Sequence, residues 1–144
     1  LDVGGKTGTS RKLEEGKYDA IVLARAGLEL LGLEKMITHT FDFDHMLPAV
    51  GQGVIAIQTR TMSPYTALIR QINHLDTFYC VLAERTALKF LDGDCHSAVG
   101  ILAQVTGDCI TLKAINYNNM KDCTVTGKIL DYKQIGEQVG LAIK

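Results

Sequence analysis

A chain of 144 residues has room for one ordinary domain or two small ones, and 47% hydrophobic with 22% charged residues is a globular composition. Fifteen basic side chains stand against 16 acidic ones with no dense Lys/Arg stripe, so nothing supports a nucleic-acid partner. No apolar run approaches the roughly 18 residues of a membrane span and no secretory leader pattern opens the chain; no membrane partner and a cytoplasmic location are expected.

In chain order, "LDVGGKTGTS" is rich in Gly, Ser and Thr without an apolar period and reads as a loop; Gly4, Gly5 and Gly8 do not meet the spacing of a phosphate loop. "KYDAIVLA" has the pattern of a buried strand, and "RAGLELLGL" continues into a short helix that Gly32 ends, one β-α step of an α/β layer. "THTFDFDHM" is a connector. In "LPAVGQGVIAIQTR", Pro48, Gly51 and Gly53 mark a turn and "VIAIQT" reads as a strand. The two glycines serve either a tight bend or the close approach of backbone to a ligand.

From Pro64 the pattern changes. Ser63 is the expected cap of a helix over "SPYTALIRQINH", and Asp76 that of a longer one through "TFYCVLAERTALKFL", with Cys80, Ala83, Ala87, Phe90 and Leu91 on one face and Gly93 at its end. "SAVGILAQV", "CITLKAIN" and "CTVTGKI" read as three strands, the first two joined through "TGD" as a hairpin. "DYKQIGEQVGLAIK" resumes a helical period with Ile135 and Val139 inward. The order α-α-β-β-β-α predicts a small antiparallel sheet covered by helices. The chain opens at Leu1 and stops in that helix without a stop signal, so it reads as a piece of a longer polypeptide.

Cys80, Cys109 and Cys123 lie on a helix face or in strands and are expected to be small buried hydrophobes. No C-x-x-C, H-x-x-x-H or H-E-x-x-H spacing supports a metal site. Cys95 differs because it sits in the loop "LDGDCHSAVG". The acids Asp92 and Asp94 disfavour a thiolate there, which argues against a redox or nucleophilic thiol. A cysteine carrying a permanent thioether has no such requirement.

Three blocks, "KLEEGKYDAIVLARAGLELLGL", "LPAVGQGVIAIQTR" and "AERTALKFLDGDCHSAVG", resemble in their order the carboxy-terminal half of the porphobilinogen deaminase, or hydroxymethylbilane synthase, family; the resemblance runs from about Lys12 to the end. It implies that Cys95 carries a dipyrromethane cofactor through a thioether, that Gly51, Gln52 and Gly53 form the turn facing it, and that Glu84 and Arg85 match the family's Ala-Glu-Arg helix. Each of that helix pair is open to a ligand role or to a structural one, facing solvent or capping an interface. The implied fold is the tail of a periplasmic-binding-protein-like α/β domain pair followed by a small α+β domain with a three-stranded antiparallel sheet and covering helices. Residues 1–46 would belong to the second α/β domain, 47–62 to a strand returning to the first, and 63–144 to the cofactor-carrying domain.

The implied activity is a transferase of haem biosynthesis that polymerises porphobilinogen, with loss of ammonia, on the covalent primer. Its partners are porphobilinogen, the growing linear polypyrrole and the amino-terminal half of the same monomeric protein. That half supplies the catalytic aspartate, so no catalytic residue is assigned among Asp19, Asp42 and Asp44, and this chain alone is expected to be inactive. Asp94, Ser97 and Ala98 depart from the family's loop; Val3, Thr9 and Leu30 stand where family arginines stand, and Arg11 alone matches one. Those losses define the alternative, a non-catalytic scaffold acting as a binding or structural module. A thiol-based redox protein, the third class, has no local support in the sequence.

Overall fold

The computed structural model describes residues 12–92 and 97–144, in two compact units that meet in the chain at Phe41 and Asp42. In the first, α1 (Arg25–Leu30) is braced by Arg25 Nε donating to Glu29 Oε1 at 2.6 Å and is followed by a 3-10 turn, Glu34–Met36. Gly32 N–H donates to Glu29 O and Leu33 N–H to Leu28 O, the paired bonds of a Schellman ending where the sequence predicted one. The expected strand "KYDAIVLA" is not formed: residues 17–24 join no ladder, Val22 is 63% exposed, and no residue of 12–41 is buried. A strand's backbone groups need a neighbouring ladder, and the described residues of this unit offer none.

In the second unit, α2 (Thr66–Arg70) and α3 (Leu75–Phe90) precede β1 (Val99–Thr106), β2 (Cys109–Asn116) and β3 (Lys121–Lys128), and a 3-10 turn leads into α4 (Tyr132–Ala142). The sheet is antiparallel in the order β1-β2-β3. Its register aligns Ile101, Ala114 and Cys123, and Ala103, Leu112 and Val125, so one face of all three strands is apolar. That face packs with Ala83 and Ala87 of α3 and Ile135, Val139 and Ile143 at α4, forming one core cluster. Gly107 and Asp108 close the predicted hairpin, with Thr106 opposite Cys109. At the far end buried Asn116 donates to Ile143 O at 2.9 Å and accepts from Asn118 N–H, joining the β2–β3 turn to the end of α4.

The two long helices pass each other at very short range. A Cβ on Gly136 would stand 2.7 Å from Ala83 O, and one on Gly140 2.3 Å from Ala87 O. The spacing G-x-x-x-G on α4 thus faces A-x-x-x-A on α3, and the absence of side chains lets the backbones meet.

Several local expectations are corrected. The cap of α3 is His74, whose ring nitrogen accepts from Thr77 N–H, and Asp76 falls inside the first turn. Ser63 Oγ accepts from Tyr65 N–H, but α2 covers only Thr66–Arg70. Cys109 is exposed at the start of its strand; Cys80 and Cys123 are half-buried. "VIAIQT" is not paired: residues 54–60 join no ladder and Ile55 is 90% exposed.

Candidate functional site around the Gly51–Gly53 turn

β1 is an edge strand, and its outward N–H groups would be left open without covering groups. Two alternate positions find an acceptor from outside the sheet. Ile101 N–H donates to Pro48 O at 2.9 Å and Ala103 N–H to Glu84 Oε1 at 2.9 Å. Cys80 and Glu84 are four residues apart and so share the face of α3 that runs along this edge. Residues 47 and 48 lie on the same edge, with Leu47 against Gly100.

This strap ends in the candidate turn. Gln52 N–H donates to Ala49 O at 3.0 Å and Val54 N–H to Gly51 O at 3.2 Å, two overlapping turns in which Gly51 and Gly53 take the third position with φ of +70° and +79°. That is the type II pattern, and its left-handed third position is the reason for glycine at both places. The bend reading therefore accounts for both residues within the chain, while the positions a Cβ would take have no atom of the described residues within 4 Å. The backbone on that side is open to an approaching group, and the Gln52 side chain is exposed.

Glu84 joins the turn to the helix. Its Oε2 accepts from Gly51 N–H at 2.8 Å while Oε1 holds Ala103 N–H, and the residue is 5% exposed. Burial pushes its carboxyl above the ordinary range, and the N–H groups of Ala103 and Gly51 oppose that shift by bonding the charged form. Arg85, the next residue of the helix, is exposed. Of the pair, Glu84 is the structural member, capping an edge and a turn. The sequence singled out Glu84 but not its two partners, and it did not single out Pro48 as an edge cover; no spacing in the sequence signals either.

Cys95, together with Gly93, Asp94 and His96, lies outside the described residues. On one side α3 ends with Leu91 as its cap, and Asp92 pairs with Lys144 Nζ. On the other, Ala98 O accepts from Tyr117 N–H at 2.9 Å, carrying the hairpin contact beyond Val99. Glu84 precedes Leu91 by two helical turns, a rise of about 10 Å. The Cys80 thiol is raised by burial first, then by Glu84 and Asp76, which leaves it the protonated form suited to its place on the edge. No helix among the described residues is long and apolar enough to cross a membrane.

Comparison with known proteins assigns both parts of this arrangement. The family model described as "Porphobilinogen deaminase, dipyromethane cofactor binding domain" matches residues 4–67, which include the turn, and "Porphobilinogen deaminase, C-terminal domain" matches 78–144, which include Glu84 and Cys95. A porphobilinogen deaminase of Acidithiobacillus ferrooxidans is 46% identical over 116 residues, 79% of this chain and 38% of that protein. Those of Clostridium kluyveri and Clostridium botulinum are 38% and 35% identical over 132 residues, covering 90% and 92% of this chain and 46% and 45% of theirs. The chain spans less than half the length of these curated relatives. Two models of one family, matched in succession and bridged in space by a single buried carboxylate, leave one conclusion: the chain belongs to the porphobilinogen deaminase family.

Proposed function

We propose that the protein containing this chain is a transferase of tetrapyrrole biosynthesis that joins porphobilinogen, with loss of ammonia, into linear hydroxymethylbilane. The observation that carries this reading is the Glu84 bridge, which ties the turn within the cofactor-domain match to the helix that leads toward Cys95. When bound, dipyrromethane supplies the pyrrole primer on which the product is built. In this reading Cys95 is its thioether anchor. Gly51 and Gly53 fit such a group because they leave the turn's backbone clear on one side, and the exposed Gln52 carboxamide offers it both a donor and an acceptor.

The catalytic aspartate and the first substrate-contacting lysine and arginines belong to the amino-terminal half in this reading, so the isolated chain does not turn over. The same reading assigns residues 1–46 to the second α/β domain of a periplasmic-binding-protein-like pair, 47–62 to the strand that returns to the first, and 63–144 to the third, in a monomeric cytoplasmic protein. The unpaired segment 54–60, strand-like in sequence and with Ile55 and Ile57 90% and 55% exposed, supports such a returning strand. A second reading, a non-catalytic scaffold, is favoured by Leu30, which stands 88% exposed on α1 at a position matching a family arginine.

Intact-mass analysis with peptide mapping around Cys95, run on the whole protein together with an aldehyde colour test for pyrroles, separates the two. The expected result is the mass of dipyrromethane on the Cys95 peptide and a positive colour. An unmodified Cys95 in the whole protein overturns the transferase reading and leaves the scaffold.

A further inference from the structure

We propose that Glu84 is a positioning residue: by accepting from Gly51 and Ala103 at once, its two carboxylate oxygens set the Gly51–Gly53 turn against the edge of the sheet. The proposal rests on the reading of that turn as part of the cofactor site. The place demands two acceptors. Two backbone N–H groups, 52 residues apart in sequence, point at one side chain from 2.8 and 2.9 Å, each at its own oxygen. A carboxylate is the side chain with two acceptor ends and no donor, and an amide in its place must turn its NH2 toward one of the two N–H groups.

Covering the sheet edge alone would not need this arrangement. Pro48 O covers the neighbouring position, Ile101 N–H, without a buried charge. The second oxygen of Glu84 has a different object, since Gly51 is shared by both turns: third residue of the first and opening residue of the second, whose carbonyl accepts from Val54 N–H. Holding Gly51 therefore fixes both turns and with them the orientation of Gln52. The bond from Ile101 N–H to Pro48 O pins the strap three residues earlier, so the turn is held at its root and at its pivot.

The test is backbone amide exchange on the 144-residue chain with Cys95 unmodified. In the unaltered chain, Gly51 and Ala103 N–H are expected to lose protection together along a denaturant series, because they share one acceptor group. In Glu84→Gln the amide oxygen keeps one N–H and the NH2 faces the other, so exchange at Gly51 or at Ala103 is expected to rise about tenfold, the equivalent of one lost hydrogen bond, while β2 and α4 keep their protection relative to one another. Unchanged exchange at both Gly51 and Ala103 in Glu84→Gln, or a rise spread evenly over β2 and α4, overturns the positioning role. Should the variant not fold, the unaltered chain decides: a Gly51 amide that exchanges freely while Ala103 stays protected also overturns it. Cys95 chemistry does not enter this measurement. An unmodified Cys95 in the whole protein thus overturns the cofactor reading alone, and an unfixed turn overturns the positioning role alone.

Discussion

Asp42 and His45, three residues apart at the start of the second unit, form an exposed pair in which His45 Nδ1–H donates to Asp42 Oδ1 at 2.6 Å. That bond, more than simple proximity of charge, lowers the Asp42 carboxyl below its ordinary 3.8 and raises the His45 imidazole above its ordinary 6.5. The depressed acid contributes stability above pH 3.8 that is lost as pH falls through its folded value; the raised base contributes below pH 6.5 and loses it as pH rises through its own. The pair is fully formed between those limits. An NMR titration of the His45 ring should give a midpoint above 6.5, and Asp42→Asn should return it toward the ordinary value; a midpoint that does not move with the substitution contradicts the pair. Glu84 runs the other way. Its folded value is raised by burial, so its ionisation favours the unfolded chain as pH rises through that value, and the two N–H bonds limit the cost. The sequence marked Glu84 by motif alone, because nothing in a linear string shows that Gly51 and Ala103 converge on it.

Element boundaries were legible where the signal is local. The Schellman ending at Gly32, the two-residue hairpin at Gly107 and Asp108, and the inward Ile135 and Val139 of α4 all depend on residues within a few positions of one another. The α3 cap was misplaced by two residues because an imidazole nitrogen took the role that an Asp side chain usually fills. The approach of α3 and α4 was not legible, although the G-x-x-x-G spacing was there to be noticed. It yields a prediction against helix propensity. Gly140→Ala would gain about 1 kcal/mol from propensity, but the new methyl would stand 2.3 Å from the backbone oxygen of Ala87, which cannot swing aside. A net loss of about 1–3 kcal/mol is expected, as for other overpacked interiors, read as a fall of several degrees in melting temperature. An unchanged or higher melting temperature would mean that the helices part without cost.

Over the whole molecule, the apolar content divides unevenly. The core joins one sheet face with α3 and α4, whereas Val54, Ile55, Ile57, Leu68, Ile72 and Phe78 are left exposed in the segment before and into α3. Singly such residues are ordinary; a run of them on an unpaired strand-like segment is the mark of a surface with a partner. Ile55→Asp is accordingly expected to leave thermal unfolding of this chain within about 0.5 kcal/mol, as at other exposed sites. The same change should weaken association with the amino-terminal half in a pull-down or titration, and undiminished association would contradict the returning-strand assignment. The sequence by itself determined the α-α-β-β-β-α order, the inward Ile135 and Val139, the turn at Gly51 and Gly53 and the family, because each is written in spacing, turn chemistry or motif within short windows. Only the tertiary structure decided that "KYDAIVLA" and "VIAIQT" stay unpaired, that Cys109 is exposed, and that one buried carboxylate binds a turn to a sheet edge. Those outcomes depend on which distant backbone groups meet, and hydrogen-bond partners far apart in the chain leave no periodic trace in it.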